Sequence, residues 1–220
     1  MTGCTPVSDG CKNCYALKMA NRLKAMGNKR YQNGFNVTLH PDLLTEPLKW
    51  NKPRMVFVNS MGDMFHESIP IEYIQRVFSA MRTTSQHTFQ VLTKRSARML
   101  ELSKSLPWPE NVWMGVTIES NKYLYRADNL RSIPAAVKFL SIEPMISQVN
   151  DLDLTGIDWV IVGGESGQSA RSIEEEWVIN VRDKCISLNI PFFFKQWGGR
   201  NKKKSGRILQ GKIWDQFPLR

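Results

Sequence analysis

The chain switches between short, unbroken apolar runs and longer stretches in which apolar residues recur every three or four positions. The runs are "FNVTL" (35–39), "RMVFVNS" (54–60), "TFQVLT" (88–93), "VWMGVTI" (112–118), "VKFLSI" (137–142), "WVIVGG" (159–164) and "PFFFKQ" (191–196). Each is rich in Val, Ile or Phe and does not alternate with polar residues. That is the pattern of strands covered on both faces in a parallel sheet. Helical spacing fills most of the gaps. Ala16, Met19, Ala20, Leu23 and Met26 predict a helix that Gly27 ends, and Pro41 opens a short one reaching Trp50. Ile74, Val77, Phe78 and Met81 share a face over 70–84, as do Val178, Val181, Cys185 and Leu188 over 173–188. Fainter helical patterns cover 96–105 and 120–132, while 144–158 has none, so one crossover is expected to be irregular.

Strands alternating with helices, without an internal repeat or linker, predict an α/β fold. The expectation is one TIM-barrel-like (β/α) domain over residues 1–220, mainly parallel, complete or partially open. Seven strands are read, and there is no room for an eighth before Cys4. A β/α barrel builds its active site at the carboxyl ends of its strands. Here those ends are polar: Asn59, Ser60, Gly62, Asp63 and His66; Thr93, Lys94 and Arg95; Thr117, Glu119 and Ser120; Ser141 and Glu143; Gly163, Gly164, Glu165, Ser166 and Gly167; Lys195, Gln196 and Trp197. Glu119, Glu143 and Glu165 follow their runs at similar distances and are expected around one mouth. The glycines of "GGESG" predict either a tight turn or a backbone nest for an anion.

Charge and cysteine usage narrow the chemistry. With 30 basic and 20 acidic residues the net charge is +10, which draws polyanions to the surface. No apolar run is long enough to span a membrane, and no signal peptide precedes Cys4, so a cytoplasmic chain is expected. Three of the four cysteines, Cys4, Cys11 and Cys14, fall within eleven residues. Thiols gathered this way in a cytosolic chain point to a metal or to redox chemistry. Zinc in a structural site wants four ligands, with His40, His66 or a carboxylate available as the fourth. A four-iron cluster held by three cysteines is the other option, and it leaves one iron open to an exchangeable ligand. Cys185, on an apolar helix face, reads as core. Lys195, Arg200, Lys202, Lys203, Lys204, Arg207 and Lys212, interleaved with Trp197 and Trp214, suit phosphates and stacked bases.

The segments "TGCTPVSDGCKNCYA", "FVNSMGDMFHE", "QVLTKR", "GVTIES", "LSIEPM", "GGESG" and "FFFKQWGG" resemble, in order, the uncharacterised phage family named after gene products thirty-seven and sixty-eight. The cysteine loop at the head of a β/α barrel is also similar to the radical S-adenosylmethionine superfamily. There, three cysteines hold a four-iron cluster whose open iron is chelated by S-adenosylmethionine, and one-electron reduction yields a 5′-deoxyadenosyl radical. The spacing differs from that superfamily, being six residues then two rather than three then two. "GGE" also lies late, at Gly163 to Glu165, not soon after the cysteines. The resemblance implies a radical-S-adenosylmethionine-like enzyme acting on a nucleic acid or nucleotide. In that reading Cys4, Cys11 and Cys14 bind the cluster, and Ser60, Glu119, Glu143, Gly163, Gly164 and Glu165 line the cofactor site. Asp63, Lys94 and Lys195 are the candidate catalytic groups, and Trp197, Arg200, Lys202, Lys203 and Lys204 meet the substrate. The alternative is a non-catalytic nucleic-acid-binding phage protein stabilised by zinc or a cluster.

Overall fold

The computed structural model describes residues 1–219. Six parallel strands form one sheet: β1 (Met55–Val58), β2 (Thr88–Thr93), β3 (Val112–Thr117), β4 (Val137–Ile142), β5 (Trp159–Gly163) and β6 (Phe192–Gln196). Their spatial order equals their chain order. Every crossover therefore steps the same way, and right-handed crossovers that never reverse place all helices on one face of the sheet. The result is part of a barrel, curled but not closed. The α/β class and the parallel sheet agree with the sequence, and of the complete and partially open barrels expected, the sheet is the open one.

The helices are α1 (Tyr15–Ala25), α2 (Ile71–Thr83), α3 (Ser96–Leu102), α4 (Tyr125–Arg131), α5 (Glu175–Ser187) and the single turn α6 (Lys202–Ser205). Ile74, Phe78, Val178, Val181 and Cys185 pack with the outward strand residues Val91, Met114, Val116, Leu140, Val160 and Phe192 in the main core. The 144–158 crossover is irregular, as expected. Met145, Val149, Leu152 and Leu154 are buried there, taking the place a helix would occupy.

Three local expectations change. "FNVTL" is not a strand: only Thr38 bridges, to Thr2, because Gly34 turns the chain at φ 61 just before it. The stretch after Pro41 is a 3₁₀ helix, Pro41–Lys49, since Pro47 lies inside it and lacks an N–H for a regular ladder. In α1 the buried positions are Ala16 and Ala20, whereas Met19 and Met26 are exposed, so the helix rests on the body through small residues.

The inner face of the sheet is built in rows fixed by register. Leu92, Gly115, Phe139 and Trp159 form one row, and Thr117, Ser141, Ile161 and Phe193 the next toward the carboxyl ends. Trp113, Val137, Phe139 and Trp159 form a separate buried cluster there. Gly115 is required beneath it, since a Cβ would meet the Phe139 ring at 2.4 Å. The two sheet edges differ. Residues 214–216 cover β6, with Phe194 N donating to Trp214 O (2.9 Å) and Gln216 N to Phe192 O (3.2 Å). No strand pairs the outer edge of β1 among the described residues, and a cavity of about 360 Å³ lies beside it, lined in part by Tyr31, Leu43, Phe57, Asn59 and Tyr73. No helix among the described residues is long and apolar enough to cross a membrane.

Candidate functional site

Strand parity explains why the ionisable groups gather. Side chains alternate faces along a strand. Lys94 is two beyond Leu92, Glu119 two beyond Thr117, Glu143 two beyond Ser141 and Glu165 two beyond Gly163, so each continues the inner-face row of its own strand. Together they rim the carboxyl end of the half barrel.

Each carboxylate there has its own cation. Glu119 is fully buried, with Lys94 Nζ at 2.7 Å and Arg126 Nη1 at 2.8 Å. Arg126 also donates to Thr117 O, and its ring-facing side lies over Tyr123, 4.2 Å from the centroid. Glu143 accepts from Lys195 Nζ (2.9 Å) and Gln196 Nε2 (3.2 Å), and it lies against Gly163, where a Cβ would sit 3.1 Å from its carboxyl. Glu165 accepts from Arg171 through both oxygens, from the Arg171 backbone N–H (2.9 Å) and from Asn13 Nδ2 (2.9 Å). Burial alone would raise its pKa. The Arg171 and Asn13 hydrogen bonds outweigh that and hold the carboxyl down at about 2.

Across this rim runs the cysteine loop. Cys4 Sγ accepts from Arg95 Nη1 (3.3 Å), and the same guanidinium donates to Thr5 O and Thr5 Oγ1. Ser8 Oγ donates to Glu119 Oε1, and Cys11 Sγ lies 3.6 Å from Ser8 Oγ. Gly10 passes so close to Glu119 that a Cβ would meet Oε1 at 2.5 Å, which is why only glycine fits. Asn13 reaches Glu165, and Arg171 Nη1 donates to Asp9 O (3.0 Å). Cys14 caps α1, and Tyr15 next to it donates to Ser60 O. Burial raises the Tyr15 phenol, with Cys14 and Glu143 adding to the effect. The loop is thus attached to the ends of β2, β3 and β5 at once.

All four cysteines are free; Cys4, Cys11 and Cys14 are partly exposed and Cys185 is buried. Burial pushes the Cys185 thiol up to about 12, consistent with plain core. Burial also raises Cys4, with Arg95 working against it. The three loop thiols have no disulfide between them and lie in one loop beside the strand ends. The expected convergence of Cys4, Cys11 and Cys14 on one metal position is not seen: among the described residues no three His, Cys, Asp or Glu groups stand close enough to hold a metal ion.

Several sequence-selected residues prove to be structural anchors. Asp63 accepts from Thr93 Oγ1 (2.7 Å), Lys94 N (3.1 Å), Phe65 N (3.0 Å) and Arg95 Nη1 (3.4 Å), so its oxygens pin the ends of β1 and β2 together. His66 donates from Nε2 to Thr5 Oγ1 (2.9 Å), because its Nδ1 accepts from Ser68 N (3.1 Å). Burial and then Arg95 lower its basicity, favouring the neutral ring. Ser60 lines the cavity beside β1, and its carbonyl accepts from Tyr15. "GGESG" is an interlock and not an open nest. Gly164 and Gly198 lie against the opposing loop so tightly that a Cβ would fall 2.0 Å from Trp197 O and 2.1 Å from Glu165 O.

Toward the C-terminus, Arg200, Lys203 and Lys204 are exposed, while the side chain of Lys202 lies outside the described residues. The aromatic partners turn inward. Trp197 packs edge-on against Phe194 (4.7 Å) and donates to Ile208 O. Arg207 and Lys212 lie over Phe193 and Trp214. Sequence reasoning passed over Asn13, Arg126 and Arg171. Arg126 carries a readable signal, an arginine on the buried side of α4 beside Ala127 and Leu130. The other two have none, since their contacts span more than 150 residues of chain or follow a turn.

The family described as a protein of unknown function (DUF5131) matches residues 1–218, and the chain belongs to it. No curated protein matches, and no solved structure does.

Proposed function

We propose that this member of a family of unknown function is an iron–sulfur enzyme of radical S-adenosylmethionine type that acts on a nucleic acid or nucleotide. One observation carries the reading: a loop with three free cysteines is fastened across the carboxyl ends of parallel strands, the end at which β/α folds perform chemistry. A four-iron cluster on three thiolates supplies one-electron chemistry and an open coordination position. In this reading Cys4, Cys11 and Cys14 would be its ligands. The partly buried Glu143 and the exposed Lys195 at the rim offer a carboxylate and an ammonium to a zwitterionic ligand. Lys94, tied to Glu119, contributes positive charge deeper in the mouth. The exposed Arg200, Lys203 and Lys204 follow β6 onto the surface and suit a phosphate backbone.

The test is anaerobic reconstitution with iron and sulfide, followed by metal analysis. The expected result is an iron–sulfur chromophore that Cys14→Ala abolishes. Reduced protein given S-adenosylmethionine is then expected to release 5′-deoxyadenosine. Bound zinc without iron, or an intact cluster that neither binds nor cleaves S-adenosylmethionine, would overturn the enzyme reading in favour of a nucleic-acid-binding protein.

A further inference from the structure

Glu165 follows two glycines at a strand end, where the sequence suggests a cofactor ligand. A carboxylate has room for about four donors, and Glu165 already has four: Asn13 Nδ2, Arg171 N, Arg171 Nε and Arg171 Nη2. These donors connect it to the cysteine loop on both sides of Cys11. Asn13 lies between Cys11 and Cys14 and also donates to Ser169 O (2.8 Å). Arg171 extends Nη1 to Asp9 O, two residues before Cys11. The mount is rigid: Gly164 N donates to Gln196 O (2.9 Å), Gly199 N to Glu165 O (2.7 Å) and Gly167 N to Gly199 O (3.1 Å). Cys4 depends on a different fixture, the Arg95 guanidinium at the end of β2, itself braced by Glu67 (3.0 Å) and Asp63.

We infer that Glu165 is a positioning residue that sets the Cys11–Cys14 half of the loop through Asn13 and Arg171, while Arg95 sets Cys4 independently. This deepens the proposed function, because the thiols being set are those assigned to the cluster. The two halves approach the mouth from non-adjacent strands. Loosening one fixture therefore frees one half of the donor set and leaves the other in place.

The experiment uses the full-length, reduced, metal-free chain and an aromatic disulfide reagent, with modified cysteines quantified one by one by mass spectrometry. In Glu165→Gln, Cys11 and Cys14 are expected to react about tenfold faster, the scale of losing a charge-assisted hydrogen bond that resists local opening. Cys4 is expected to stay within about twofold of the parent, as its fixture is untouched. Asn13→Ala removes one arm from an exposed loop without touching the core, and it is expected to give a partial increase at the same two cysteines. Arg171→Met removes the other arm, which reaches Asp9 O, and is expected to raise the rates at the same two cysteines while leaving Cys4 unchanged. A uniform rise at Cys4, Cys11 and Cys14 in these variants would show that Glu165 merely supports the fold. Unchanged rates would also overturn the inference. If the chain takes up no cluster yet the Cys11 and Cys14 pattern appears, the cluster reading fails and the positioning role stands.

Discussion

Glu119 and Glu143 end neighbouring strands, face the same side of the sheet and each meet a lysine, yet their surroundings differ. The Glu119 side chain is 0% exposed and is held by Lys94, Arg126 and Ser8. Glu143 is 19% exposed, and its partner Lys195 is 53% exposed. Removing water from Glu119 makes its partners obligatory, since a buried charge without a counter-charge is costly. Water around Glu143 and Lys195 screens the pair and leaves both free to exchange partners. One end of the rim therefore behaves as framework and the other as a surface on which a ligand can act.

The largest effect expected from this difference is at Arg126. Arg126→Ala leaves Glu119 buried with one cation and removes the donor to Thr117 O. A loss of roughly 3–5 kcal/mol is expected, as for breaking other buried pairs. In a chain of this size that lowers the melting temperature by about 10 °C. Pairing Arg126→Met with Glu119→Gln should recover part of the loss, because the stranded charge goes while the amide oxygen still accepts from Lys94. A single variant that melts with the parent would erase the distinction between the two ends.

How far the sequence foretold this rim depends on whether the cause was local. Strand runs 54–60, 88–93, 112–118, 137–142, 159–164 and 191–196 hold their own signal in continuous apolar residues, and all six are strands in the sheet. The rim carboxylates were legible as well, because a fixed offset from a strand fixes a face. "FNVTL" has the same composition but follows a turn at Gly34 and only bridges Thr2, so its apolar content serves packing: Val37 and Leu39 lie against the core. The glycines of "GGESG" suggested either a tight turn or a ligand nest, while at Gly164 the cause is the backbone of Trp197 pressing on it from a loop more than 30 residues away. Trp197 and Trp214 looked like stacking platforms beside basic residues, but their rings are packed against Phe194 and Phe192. Contacts of that kind leave no periodic trace.

An intermediate effect concerns acid stability at Glu165, which resembles Glu119 in being nearly buried. Its folded carboxyl lies near 2, against 4.5 for the free group. A depressed carboxyl contributes stability that is complete above the unfolded value and lost as pH falls through the folded one. The contribution is therefore present at neutral pH and declines between about 4.5 and 2. Glu165→Gln should be less stable than the parent at neutral pH, and the two should converge toward pH 2. Denaturant titrations across that range measure the gap, and a gap of constant size would mean that Glu165 does not titrate with its partners.

The smallest expected effect on stability is at Lys195, and it is the one that bears on ligand binding. Lys195→Met removes an exposed ammonium from an exposed pair, a change worth about 0–1 kcal/mol. Gln196 Nε2 remains on Glu143, so the carboxylate keeps a donor. If this end of the rim meets a phosphate backbone, the same substitution should weaken binding of a single-stranded oligonucleotide. The logarithm of affinity against the logarithm of salt should then lose about one unit of slope. Arg126→Met with Glu119→Gln removes one charge of each sign in the interior, keeps an acceptor for Lys94 and should leave that slope alone. A Lys195→Met protein with lower melting temperature and unchanged salt slope would exchange the roles of the two ends. An unchanged melting temperature with a shallower slope would place the ligand over β6, on the side of the rim that carries Arg200, Lys203 and Lys204.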